Sequence, residues 1–141
     1  MRTSSVAVTI CMSHFHAIPH NSTDASFRQP NDGTQNEVHD MVHQMLLVLK
    51  QGKLFHAPVA NPRQVLDVGT GTGIWAIDVA DHFRSATVTG VDLSPTQPQH
   101  VPPNCKFQID DASKEWTFRK NHFDFIHIRH LLVPTPFFQP P

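Results

Sequence analysis

The chain has 141 residues, a length that suits one small domain. Its 11 basic and 12 acidic residues form no basic run, so nothing supports nucleic-acid binding by phosphate neutralisation. No apolar run approaches the roughly 20 residues that a membrane-spanning helix needs, so no membrane association is expected.

The two cysteines, Cys11 and Cys105, do not form the framework of a disulfide-rich secreted domain. Cys105 opens an apolar segment and is interpreted as a small buried hydrophobic residue. The first residues combine one Arg with a short apolar patch, and they lack the cleavage site of a signal peptide. A reduced, intracellular setting is therefore expected.

Residues 1–33 show no sustained hydrophobic period, and they are polar, rich in histidine and prone to turns. We interpret this segment as a disordered N-terminal tail. From Thr34 onwards, apolar residues recur at intervals of three and four. The residues of this stripe are Val38, Met41, Val42, Met45, Leu46 and Leu49. The stripe predicts an amphipathic helix that packs its apolar side on the core and ends at Gly52.

Two histidines on this helix, His39 and His43, are four residues apart, a spacing that zinc sites use. The helical zinc motif has Glu directly after the first histidine, whereas this chain has Asp40, and no third ligand is evident. Both histidines flank the apolar stripe, so we interpret them as surface residues and expect no metal site.

Four short segments rich in apolar and β-branched residues follow and predict strands. These segments are 64–68, 86–92, 105–110 and 122–131, and a helix is predicted over 74–83. Strands that are apolar on both faces are typical of a parallel sheet covered by helices. The sequence therefore predicts an α/β fold with a doubly wound parallel sheet, in which a Pro-rich link replaces one crossover helix. Trp75 is expected to pack between the helix and the sheet, with a place in the ligand pocket as the alternative. Trp116 and Phe118 are expected to pack beneath the loop before the fourth strand.

Three glycines follow the first strand of the sheet and precede its helix, at Gly69, Gly71 and Gly73. Glycine accepts positive φ angles and lets the backbone approach a ligand closely. Open α/β sheets bind ligands at this end of their strands. A dinucleotide-binding loop has the pattern G-x-G-x-x-G, which would place its third glycine at position 74, where this chain has Ile74.

The segment "VLDVGTGTGIWAIDVA" resembles motif I of class I S-adenosylmethionine-dependent methyltransferases. The segments "GVDLSP", "IDDA" and "FDFIHIRHL" follow it in the order and spacing of that family. Residues 31–132 resemble the fungal LaeA-like methyltransferases found in and around secondary-metabolite gene clusters. The resemblance implies a partial Rossmann-like sheet, the first four strands of the class I fold. It also implies S-adenosyl-L-methionine as cofactor, a small-molecule acceptor of unknown identity, and a location in the cytoplasm or nucleus.

The resemblance also implies roles for residues at the cofactor site. Gly69, Thr70, Gly71 and Gly73 would form the loop, and Asp67 would order that loop and the methionine end of the cofactor. Asp92 would accept hydrogen bonds from both ribose hydroxyls, and Leu93 would lie against adenine. Asp111 and Ala112 match the signature whose acid meets the adenine amino group.

Alternatives remain open at two of these positions. Asp92 could instead cap the turn before Ser94. Asp111 could belong to a solvated acidic turn, and the neighbouring Asp110 competes with it for the contact with the adenine amino group. His127, on the fourth strand, is the one residue weighed as a catalytic base. Methyl transfer from a sulfonium has no obligatory base signature, so the catalytic residues stay unknown.

After residue 132 the chain reads "VPTPFFQPP". We therefore expect an N-terminal half of a methyltransferase domain over 34–132, a Pro-rich irregular tail over 133–141, and a truncated product. The fourth strand would then be an exposed apolar edge through which the chain could associate. A domain so small would also be of low stability.

Three functional hypotheses follow. The first is a methyltransferase linked to fungal secondary metabolism. The second is a truncated, non-catalytic cofactor-binding remnant or regulatory module. The third is half of a nicotinamide-linked oxidoreductase, against which the residue at position 74 argues.

Overall fold

The structure is a computed structural model, which describes residues 7–11, 33–112 and 114–129, the first range by its backbone alone. The elements in chain order are β1 (Ala7–Cys11), α1 (Gly33–Leu49), β2 (Gln64–Val68), α2 (Ile74–His82), β3 (Thr87–Asp92), β4 (Cys105–Ile109) and β5 (Phe125–Arg129). The predicted Pro-rich tail at 133–141 lies outside the described residues. In the described ranges, no helix is both long enough and apolar enough to cross a membrane.

The five strands form one parallel sheet in the order β1-β5-β2-β3-β4. Strand β2 lies at the centre, with Asp67 beside Gly90 of β3 and His127 of β5. The predicted parallel α/β sheet is confirmed. The carboxyl ends of β2, β3 and β5 meet at one edge of the sheet, which is where a doubly wound fold binds its ligands.

Strand β1 was not predicted from the sequence. Residues Ala7–Cys11 pair in parallel with β5, from Ala7 beside Phe125 to Cys11 beside Arg129. The expectation of a disordered tail is therefore wrong for these five residues. Likewise β5 is not an exposed edge, because β1 supplies backbone hydrogen-bond partners along it.

Strands β2, β3 and β5 are buried on both faces. On one face, α2 packs Trp75, Ala76 and Val79 against Val65 and Phe125. The buried residues of the other face are Leu66, Val68, Val91, Phe123, Ile126 and Ile128, and Ala112, Trp116 and Phe118 pack against them. The predicted packing of Trp75, Trp116 and Phe118 is confirmed. Burial on both faces explains why these strands are continuous apolar runs.

Helix α1 does not bury most of the apolar stripe that was predicted to face the core. Val38, Met41, Met45 and Leu49 of the stripe are 46–75% exposed, and Val42 and Leu46 are only half-buried. His43, interpreted from the sequence as a surface residue, is only 1% exposed and is the buried residue of the helix. The physical reason is that α1 contacts α2 and β5 through polar side chains, as described below.

Candidate cofactor site

The glycine loop after β2 has the geometry that only glycine adopts readily. Gly69, Gly71 and Gly73 have φ angles of 69°, 58° and 82°. The backbone N–H groups of Gly69 and Thr70 both donate to the carbonyl oxygen of Val91, at 2.9 and 3.0 Å. The loop therefore bends from β2 towards β3 before α2 begins at Ile74.

The ring of Phe107 packs beneath this loop. A Cβ atom added to Gly73 would lie 2.4 Å from Phe107 Cζ, and one added to Gly90 would lie 2.6 Å from Phe107 Cδ1. A Cβ atom at Gly71 would meet no atom within 4 Å. The loop is thus supported on the side of Phe107 and open at Gly71. Gly90 was missed in the sequence analysis, although an isolated glycine inside a strand signals a close approach of this kind.

Asp67 holds the loop from the interior of the protein. Its carboxylate is 3% exposed and accepts hydrogen bonds from Thr70 Oγ1 at 2.6 Å and from His127 Nδ1 at 2.7 Å. The His127 ring stacks on Trp75 with centroids 3.6 Å apart. Asp67 therefore orders the loop in this structure, and its contact with the methionine end of a cofactor stays a prediction.

Asp92 connects the end of β3 with the glycine loop. Its Oδ2 atom accepts a hydrogen bond from the Gly71 N–H group at 2.8 Å, and Oδ1 accepts one from the Ser94 N–H group at 3.0 Å. The turn-capping alternative is thus part of the structure. It does not exclude ribose binding, because a carboxylate has about four acceptor positions and these two bonds use half of them.

Two residues that the sequence analysis assigned only to a Pro-rich link also hold the loop. Thr96 Oγ1 and Gln97 Nε2 donate to the carbonyl oxygen of Gly71 at 2.9 and 2.6 Å. Together with Asp92, they bind both backbone polar groups of Gly71. The local signal was the presence of polar side chains directly after β3, in "DLSPTQP".

The predicted adenine-side residues lie at the same edge of the sheet. Leu93 is 64% exposed at the end of β3. The Asp110 N–H group donates to the carbonyl oxygen of Asp92 at 3.1 Å, so the ends of β3 and β4 are connected. Asp111 lies 3.7 Å from Lys114 Nζ and, with Ala112, lines a small cavity beside Val91. Asp110 lines it too, so the choice between the two acids stays a prediction.

Helix α1 lies against the other side of the glycine loop. Thr72 Oγ1 donates to Asp40 at 2.5 Å. His43 Nε2 lies 2.8 Å from Asp78 Oδ2 on α2, and Arg129 of β5 donates to His43 Nδ1 at 3.1 Å. No group of three metal-ligating side chains occurs in the ranges that the structure describes.

Comparison with known protein families matches residues 33–136 to the methyltransferase domain. The chain belongs to the methyltransferase domain family. It is 41% identical over 109 residues to the secondary metabolism regulator LAE1 of Cochliobolus heterostrophus, covering 73% of this chain and 35% of that protein. Methyltransferase pytC of Aspergillus terreus is 41% identical over 109 residues, 75% of this chain and 33% of its own length.

The protein-methionine methyltransferase laeA of Emericella nidulans is 37% identical over 102 residues, 71% of this chain and 27% of its own length. The predicted LaeA-like family is thereby confirmed. This methyltransferase domain spans about a third of the length of these relatives. Membership of the family implies a methyl-donor cofactor, and the loop and carboxylate described above are suitable groups to hold one.

Proposed function

We propose that this methyltransferase domain binds S-adenosyl-L-methionine at the glycine loop and transfers its methyl group to a small-molecule acceptor in fungal secondary metabolism. The observation that carries the proposal is the hydrogen bond between Asp92 and the Gly71 N–H group, at the ends of neighbouring parallel strands. The names of the relatives, secondary metabolism regulators and methyltransferases, support the metabolic setting.

The arrangement suits a nucleoside. The unused acceptor positions of the Asp92 carboxylate can take hydrogen bonds from two ribose hydroxyls, and the negative charge strengthens both bonds. Leu93 follows directly and offers an exposed apolar surface for the adenine ring. Gly71 leaves open space above the loop, so the backbone can come close to the ligand.

The nicotinamide hypothesis fits this loop less well. The dinucleotide-binding motif has its third glycine at position 74, where the lack of a side chain lets the helix pack closely on the strand. Ile74 occupies that position as the first residue of α2, directly after the loop. Its side chain adds bulk at the point where the motif requires none.

The bound cofactor would supply an electrophilic methyl group on a sulfonium. The contribution of the chain would then be to hold the ligand in position, and orientation alone can account for about 7–11 kcal/mol of a reaction barrier in favourable cases. His127 is not positioned as a general base, because its ring lies under Trp75, is 2% exposed and bonds to Asp67.

Isothermal calorimetry with S-adenosylmethionine tests the binding step. Asp92→Asn is expected to weaken binding about 10- to 100-fold, because hydrogen bonds to a charged group contribute about 1.5–3 kcal/mol. Asp81→Asn is the matched control, since Asp81 is an exposed acid on α2, and it should bind as the wild type does. Heat with NAD but none with S-adenosylmethionine, from folded protein, would overturn the proposal.

Methyl transfer needs a second experiment. The full chain is incubated with S-adenosylmethionine and fungal extract as the source of acceptors, and S-adenosylhomocysteine release is measured. We expect release that depends on Asp92. Tight cofactor binding without any release would instead favour the non-catalytic binding module.

A further inference from the structure

His43 is buried on a helix whose apolar stripe is exposed, and the proposed reaction does not use it. We propose that His43 is a positioning residue, which docks α1 on the glycine loop and thereby retains the cofactor. This inference rests on the proposed function, because it concerns affinity at the same site. We call His43, Asp78 and Arg129 the His43 cluster.

The hydrogen bonds of the His43 cluster determine its protonation state. A guanidinium group only donates hydrogen bonds, so the Nδ1 atom facing Arg129 must be an acceptor without a proton. The proton of the neutral ring then lies on Nε2, which donates to the Asp78 carboxylate at 2.8 Å. The geometry therefore requires neutral His43 between an anion on α2 and a cation on β5.

The cluster connects α1 to the cofactor loop. One turn before His43, on the same side of the helix, Asp40 accepts the hydrogen bond of Thr72. Thr72 lies between Gly71 and Gly73, the glycines whose backbone forms the proposed cofactor cradle. Met41 and Met45 are exposed, and Val42 and Leu46 of the apolar stripe are only half-buried, so apolar burial contributes little to holding the helix. Loss of His43 would therefore loosen α1 and the outer side of the loop together.

The test is the cofactor affinity of the full chain, measured by calorimetry for the wild type and two variants. His43→Gln retains one donor and one acceptor, so it should bind the cofactor nearly as tightly as the wild type does. His43→Ala should bind the cofactor about tenfold more weakly, as for one lost charge-assisted hydrogen bond.

His39→Gln is the matched control, because it removes the other histidine of α1, which pairs with Gln35 on the same helix. It should bind the cofactor as tightly as the wild type does. Amide hydrogen exchange of α1 reports docking without cofactor, and faster exchange is expected in His43→Ala than in His43→Gln at the same pH.

If the wild type and a folded His43→Ala variant bound the cofactor equally tightly, the role given to His43 would be overturned, but the proposed function would not. A folded His43→Gln variant that bound the cofactor no better than His43→Ala would also overturn it. If folded wild-type protein bound no S-adenosylmethionine, the proposed function itself would fail. The retaining role of His43 would then fail with it.

Discussion

Phe107 illustrates at the scale of single residues how a loop conformation depends on a side chain from another strand. Its ring occupies the space that side chains at Gly73 and Gly90 would need. Glycine at 73 is therefore required for two reasons, its positive φ angle and the lack of room. The motif alone discloses the first reason, whereas the second depends on a contact between residues 34 positions apart in the sequence.

Two alanine substitutions separate these reasons. Gly52 and Gly73 have φ angles of 78° and 82°, but a Cβ atom at Gly52 meets nothing within 4 Å. Gly52→Ala should cost about 1–2 kcal/mol of unfolding free energy, for backbone strain alone. Gly73→Ala should cost a further 1–3 kcal/mol or so, for overpacking against Phe107. Urea denaturation measures both, and equal losses would contradict the role given to Phe107.

Cys105 carries a pH-dependent contribution to stability. Burial, followed by the charges of Asp67 and Asp81, raises the pKa of its thiol from 9.0 to about 11. The folded protein thus holds this proton to higher pH than the unfolded chain does, so stability is complete below pH 9 and declines between pH 9 and 11.

We expect the unfolding free energy to fall by about 2 kcal/mol over this interval on account of Cys105, since one pKa unit corresponds to about 1.4 kcal/mol. Urea denaturation at pH 8 and pH 10.5 measures the change. The Cys105→Ala variant and its parent both carry Cys11→Ser, so they differ only in the contribution of Cys105, and the lysines titrate in both. If the unfolding free energy of Cys105→Ala fell as much between the two pH values as that of its parent, the assignment to Cys105 would be refuted.

Helix α1 shows at the scale of elements what periodicity does and does not determine. The spacing of its apolar residues correctly predicts a helix, and Gly52, with φ 78°, follows its end as expected. The prediction of which side is buried is wrong. The reason is that the surface facing α1 is polar, with Asp78 on α2 and Arg129 on β5. Nothing within the helical segment encodes the polarity of that surface.

This orientation predicts an inverted pattern of mutational effects. Met41→Gln and Met45→Gln should each change the unfolding free energy by less than about 0.5 kcal/mol, because both side chains are mostly exposed. His43→Ala should cost about 1–3 kcal/mol, because it leaves Asp78 and Arg129 without this partner. Chemical denaturation of the three variants tests the pattern, and larger losses at the methionines would favour the orientation predicted from periodicity.

At the scale of the whole molecule, the sheet could be predicted only where local sequence signals identify the strands. Strands β2, β3, β4 and β5 are apolar runs close to turn residues, and the glycines mark the loop between β2 and α2. Strand β1 was missed because its partner lies more than 110 residues away, and pairing of that kind leaves no local periodicity. The contacts of Thr96 and Gln97 with Gly71 were missed because they join residues 25 and 26 positions apart, and the polar side chains after β3 do not disclose their partner.

Strand β1 leads to a prediction about association. Deletion of residues 1–12 would expose the backbone polar groups of β5, and such edges pair with other chains. The shortened chain should sediment as larger species than the full chain at the same concentration. Deletion of 133–141 is the control for loss of terminal residues. If only that deletion caused association, β1 would not be the strand that protects β5.

The proposed function depends on Asp92 and the glycine loop forming a binding site for a nucleoside. A crystal structure of the full chain with S-adenosylhomocysteine would show whether they do. We expect both ribose hydroxyls within hydrogen-bond distance of the Asp92 carboxylate and the adenine ring against Leu93. A ligand bound elsewhere on the protein, with Asp92 still bonded only to Gly71 and Ser94, would contradict it.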